Sequence, residues 1–132
     1  MREILFKAKL KDTKEWVEGY PFPSEPGGEL NRMIIFEELP GGSTMSVVEI
    51  DPETLCQFTS LTDKNGAKVF DGDKCAFKSE VEGEETGYIV FWDDDDCSFS
   101  VRDKEFGAVD VLDTFFSERC TVSGNIHDEV TP

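Results

Sequence analysis

Apolar and polar residues alternate along much of this chain with a period of two, the pattern of half-buried β-strands. Ile4, Phe6, Ala8 and Leu10 alternate with Glu3, Lys7, Lys9 and Lys11, Leu5 alone being out of phase. Asp12-Thr13-Lys14 can reverse the chain, and Glu15 to Tyr20 is the returning strand, with Trp16 and Tyr20 available to pack across from Phe6 and Ala8. Three prolines and the Gly27-Gly28 pair between Pro21 and Asn31 break the pattern and predict a loop. Arg32 to Glu37 and Thr44 to Ile50 are predicted to pair, with Met45 and Val47 on one face of the second strand and Val48 and Ile50 on the other. Asp51-Pro52-Glu53 then sets an N-cap residue, a first-turn proline and an acid in the order of a helix start. Only a short helical turn fits before Phe58 and Leu61, which are expected to pin it onto the sheet.

Leu61 to Asp73 holds two turn signals around Val69-Phe70. Asn65-Gly66 predicts a tight turn with two residues at positive φ, and Asp71-Gly72-Asp73 predicts a second reversal into a strand. Lys74 to Lys78 follows, with Cys75 and Phe77 inward; then come an acidic reversal over Ser79 to Thr86 and the run Gly87-Tyr88-Ile89-Val90-Phe91-Trp92. That run is β-branched and aromatic throughout, which predicts a central strand covered on both faces. Asp93 to Asp96 makes the next turn, Cys97, Phe99 and Val101 point inward from the next strand, and Val109 to Phe116 and Cys120 to Ile126 complete the set. Short strands at such spacing predict a small barrel, in which closure hides the sheet edges. The expected architecture is mainly β, with an N-terminal hairpin and sheet region (1-60) and a C-terminal barrel (61-132), associated closely enough to form one compact unit.

Composition changes the picture in its electrostatics. Eleven phenylalanines and a hydrophobic fraction of 38% give the chain a core, yet its net charge is -16. Residues 1–70 hold 12 acidic and 8 basic groups and residues 71–132 hold 17 and 5, so the halves carry -4 and -12. Such a surface disfavours direct binding to nucleic acid or anionic lipid and suits a basic protein partner, or simply keeps the chain in solution. No apolar stretch is long enough for a membrane helix, and the start of the chain lacks the apolar region of a signal peptide, so a cytoplasmic location is expected. Cys56, Cys75, Cys97 and Cys120 form no Cys-x-x-Cys pair, and His127 is the single histidine; the four cysteines are expected to be core thiols rather than zinc ligands.

Candidate chemistry is thin. The run Asp93 to Asp96 invites a cation, but consecutive turn residues diverge whereas calcium loops alternate their ligands, so a solvated turn is the expectation. Twenty-nine acidic residues make chance carboxylate pairs unavoidable, and His127 has no nucleophile motif to serve. The glycines of the 21–31 loop precede no Gly-Lys-Ser. The aromatics Tyr88, Phe91 and Trp92 lie among acids, and the basic series Lys7, Lys9, Lys11 and Lys14 is expected on the solvent face of the first hairpin, so no single-strand nucleic-acid groove is visible. No catalytic, metal or cofactor residue is assigned.

Met1-Arg2-Glu3-Ile4-Leu5-Phe6-Lys7-Ala8 at the start, Gln57-Phe58-Thr59-Ser60-Leu61-Thr62-Asp63-Lys64-Asn65-Gly66 in the middle, Val69-Phe70-Asp71-Gly72-Asp73, Gly87 to Trp92, and Val122-Ser123-Gly124-Asn125-Ile126-His127 together resemble the YopX family of phage and prophage proteins. The resemblance implies a mainly β protein with an SH3-type barrel in its C-terminal part, and transfers no catalytic residue. The expected function is that of a non-enzymatic accessory protein in the bacterial host cytoplasm, binding a host or phage protein through an acidic surface. The alternatives are a DNA mimic that occupies the site of a nucleic-acid-binding host protein, and a metal-dependent hydrolase built on the aspartates. Exposed edge strands in the N-terminal half would permit self-association.

Overall fold

The computed structural model describes residues 4–78, 85–105 and 107–128. The fold is mainly β, its strands antiparallel, and it divides into the units Glu3–Gln57 and Phe58–Pro132.

In the N-terminal unit, β1 (Phe6–Lys9) and β2 (Trp16–Phe22) form the expected hairpin, with Phe6 opposite Gly19 and Ala8 opposite Val17. Trp16 does not pack against Phe6: it lies opposite Lys9, and the Lys7 and Lys9 Nζ atoms sit 4.7 and 5.5 Å from its ring centroid. Lys9 is consequently buried rather than on the solvent face, its stem covered and its charge held over the indole. Pro21 and Phe22 extend β2 instead of opening the loop, pairing with Met33 and Arg32 of β3 (Arg32–Leu39). Proline is tolerated there because β1 pairs with β2 only as far as Gly19, so that side of the ladder requires no donor at Pro21.

β3 pairs along its whole length with β4 (Gly42–Glu49). Ala8, Met33 and Ile50 form the buried core of the unit, with Val17, Ile35 and Val48 packed on it. The helix start predicted at Asp51 is a single 3-10 turn, Pro52–Thr54, capped by the Asp51 carboxylate, which accepts from the Glu53 N–H at 3.1 Å. Thr54, not Phe58 or Leu61, pins it to the hairpin: its hydroxyl accepts from the Lys9 N–H at 2.8 Å and donates to the Asp51 carbonyl at 2.7 Å. Phe58 and Leu61 belong to β5 (Cys56–Thr62), a strand that the sequence pattern did not reveal.

In the C-terminal unit β5 pairs with β6 (Lys68–Phe70), Phe58 facing Phe70. The rest is a five-stranded sheet of β7 (Asp73–Lys78), β8 (Glu85–Asp93), β9 (Ser98–Asp103), β10 (Val109–Val111) and β11 (Cys120–Asn125), in the order β10-β9-β8-β7-β11. β8 is central, as its composition predicts, although Trp92 at its end is 42% exposed. The described sheet is open, with β10 and β11 as its edges, rather than a closed barrel. One face is covered by a helical turn, α1 (Thr114–Ser117), where a continuous strand to Phe116 was expected. Asp113 stops that strand by capping α1, its carboxylate accepting from the Phe116 N–H at 2.9 Å. Phe116 joins Val69, Cys75, Val90, Val101, Leu112 and Cys120 in the core.

Three of the cysteines are core thiols as expected, but Cys97 is exposed in the β8–β9 turn at φ 51°. The acidic reversal at 79–84 lies outside the described residues.

Candidate binding cleft

The aspartates singled out in the sequence separate into structural and surface groups. Asp63 is buried, and its carboxylate accepts from Asn65, Ala67 and Val122 N–H groups, each at 2.9 Å. Burial opposes its ionisation, but the three backbone donors outweigh it and hold the carboxyl below its ordinary value. The Asn65-Gly66 turn therefore has one positive φ, at Gly66 (85°), rather than two. Its Gly66 N–H to Asp63 carbonyl bond of 3.0 Å, together with the left-handed glycine, is the geometry of a turn closing into a bulge.

Asp73 is fully buried, accepting from the Phe70 N–H at 2.8 Å and the Asn125 side-chain amide at 2.9 Å. Between them Gly72, at φ 86°, donates to the Val90 carbonyl and accepts from the Ile126 N–H. These groups hold the junction between β6 and β7. In the Asp93 to Asp96 turn, the Asp93 carboxylate accepts from Asp95 and Asp96 N–H groups at 3.0 and 3.4 Å. Among the described residues no three His, Cys, Asp or Glu are grouped to hold a metal ion. His127 is half-buried in the turn after β11, its N–H donating to Asn125. Cys75 and Cys120 share a hydrogen bond that, with burial, pushes the Cys75 thiol up.

Among the described residues, each unit carries a depression. One in the N-terminal unit, of about 380 Å³, sets Lys11 and Lys14 among Glu29, Glu49 and Asp51, and so presents neither sign of charge consistently. The other, of about 220 Å³, lies between the C-terminal sheet and α1. Phe77 from β7 and Tyr88 from β8 stand beside Phe116 of α1: Phe77 stacks on it at 5.1 Å, and Tyr88 meets it edge-on at 5.0 Å. Phe115 and Val111, both more than half exposed, wall the outside. Asp110 and Asp113 bring exposed carboxylates to the same cleft. One oxygen of each carboxylate accepts a local backbone N–H, from Val111 and Phe116 respectively, which fixes the two side chains. Burial first, and then the Asp103 and Asp110 charges, raise the Tyr88 hydroxyl above its ordinary value, so it stays a neutral phenol.

The cleft is smaller than the roughly 300–1,000 Å³ of drug-sized ligand sites, and so suits a side chain rather than a cofactor. Fixed carboxylates at the rim attract a cationic group by charge; of the rings, Phe115 already carries the Arg119 guanidinium, 3.9 Å from its centroid, and the Arg119 side chain donates to the Phe115 carbonyl at 2.9 Å. The sequence offered the aromatics and acids separately. It could not show them together, because α1 was hidden in an apparent strand.

A family model described as YopX protein matches residues 5–131. No curated protein matches the chain. Among solved structures the fold is similar to that of protein EF1440 from Enterococcus faecalis, at 19% identity over 96% of this chain and 95% of that one, with a TM-score of 0.60. Among the described residues no helix is long and apolar enough to cross a membrane.

Proposed function

The chain belongs to the YopX family, and from that premise we propose that it is a non-enzymatic phage or prophage accessory protein acting in the cytoplasm of a bacterial host, whose C-terminal half grips a basic segment of another protein. The observation that carries this reading is the cleft of Tyr88, Phe115 and Phe116 rimmed by Asp110 and Asp113. A lysine or arginine seated there would meet the two carboxylates and share the Phe115 ring with Arg119, so the ring faces would add about 0.5–1 kcal/mol, the range for exposed sites. The exposed Asp94, Asp95, Asp96, Glu105 and Glu118 of the same unit support it by adding negative potential that would speed the approach of a basic partner. In this reading residues 61-132 work as an SH3-like module, a run of short antiparallel strands presenting an aromatic cleft beside a helical turn.

A short arginine-rich peptide titrated into the labelled protein tests the assignment by amide chemical shifts. Shifts should centre on Tyr88, Asp110, Phe115 and Phe116, and should weaken steeply as ionic strength rises toward 0.15 M, where the Debye length is about 8 Å. Asp110→Asn with Asp113→Asn should reduce affinity several-fold without unfolding, since asparagine keeps the cap on α1. Shifts spread evenly over every acidic turn, or unchanged affinity in the double variant, would overturn the cleft as the site.

A further inference from the structure

Two of the three buried cysteines lie side by side. Cys75 of β7 is opposite Val122 of β11, and Cys120 of β11 is opposite Phe77 of β7, so the two are diagonal neighbours on one face of the ladder. They are 1% and 0% exposed and belong to one core cluster. Their sulfurs share a hydrogen bond, and Cys120 in turn donates to the Ser117 carbonyl at 3.5 Å. Cys56 instead donates its thiol to the Thr54 carbonyl, and Cys97 is exposed in a turn.

We propose that Cys75 and Cys120 are an oxidative modification site, which a small-molecule disulfide such as oxidised glutathione converts into a disulfide stapling β11 to β7. Cys120 is the attacking sulfur. The hydrogen bond from Cys75 holds the Cys120 thiol below its ordinary value, while the same bond, with burial, pushes Cys75 up. The Cys120 thiolate displaces one glutathione thiolate and forms a mixed disulfide; the Cys75 sulfur then attacks Cys120, and the second glutathione leaves. Two protein S–H bonds and the S–S bond of the oxidant break, and one protein S–S bond forms. The two protons pass to the released thiolates, and the two electrons reduce the oxidant.

Access comes from the sheet edge. Among the described residues β7 is the only ladder partner of β11, and Cys120 is the first residue of that strand, just past the end of α1. Local opening there exposes Cys120 without unfolding the sheet. Diagonal neighbours stand about 7–8 Å apart at Cα and a disulfide spans roughly 4.4–6.8 Å, so closure draws the strands together by about 1 Å. β11 can make that shift, because its register with β7 is already irregular between Val122 and Gly124. The closed ring contains β8, β9, β10 and α1, so the staple restricts most of this unit in the unfolded chain.

The proposal rests on the thiols and stands apart from the basic-segment reading. The full-length Cys97→Ser protein, incubated in its native state with oxidised glutathione and then unfolded and alkylated with N-ethylmaleimide, tests it by mass. Cys56, Cys75 and Cys120 should all be labelled in the reduced protein, and Cys56 alone after oxidation. Trypsin cuts after Lys74, Lys78 and Arg119, so residues 75–78 should be found joined to 120–132, and dithiothreitol should part them. The oxidised protein should melt several degrees higher than the reduced one. Cys75→Ala in the same background should stop at the mixed disulfide, with one glutathione held on Cys120. Labels kept on both Cys75 and Cys120 in excess oxidant, a disulfide that includes Cys56, glutathione that stays on Cys120 although Cys75 is present, or a melting temperature that oxidation does not raise would each overturn the site.

Discussion

Asp63 shows how much one side chain can hold. Its two oxygens close a turn and bond β11 at Val122, 59 positions away. Because its carboxyl is held below the ordinary value in the folded protein, its stabilising contribution is complete above the unfolded value and is lost as pH falls through the lower, folded one. Asp63→Asn should therefore cost about 1–3 kcal/mol near neutrality, the range for bonds to a charged acceptor in a buried site, and progressively less below about pH 4. Urea denaturation of both proteins at neutral and acid pH checks this. Gly72 is the companion case. At φ 86° a β-branched residue is strained by about 1–3 kcal/mol, so Gly72→Val should lower the melting temperature by several degrees, and an unchanged melting curve would show that the junction tolerates a Cβ.

At the level of elements, apolar runs located β3 and β8, turn signals placed β2 and β11, and period-two alternation located β1, β4, β7 and β9. It missed β5, whose Cys56, Phe58 and Thr59 are all buried, leaving no alternation to see. It ran β10 into α1 because Val109, Val111, Leu112, Phe115 and Phe116 fit a strand pattern as well as a strand followed by a turn. The deciding contact is the Asp113 cap, a local polar bond that hydrophobic period does not encode. Burial of Lys9 escaped for a similar reason: an aliphatic stem under Trp16 is invisible to a scale that counts lysine as exposed. The candidate cleft was illegible as a site because it needs β7, β8, β10 and α1 placed together, whereas its separate acids and aromatics were plain.

For the whole molecule, charge sets the terms. Folding gathers -16 into a small volume, so self-repulsion opposes the compact state and screening should relieve it. The melting temperature should rise as sodium chloride is raised from about 10 mM, where the Debye length is about 30 Å, to 0.15 M, where it is about 8 Å. A flat profile in calorimetry would mean that the carboxylates are already spaced beyond each other's reach.

The bond from Asp63 to Val122 also has a consequence in time. The turn at Asp63 to Ala67 is local and can form as soon as those residues emerge from the ribosome, whereas the amide that completes the Asp63 carboxylate is made 59 residues later. Synthesis thus leaves a shaped acceptor waiting on a nascent chain, and the C-terminal sheet gains its last strand only when β11 arrives to fill it.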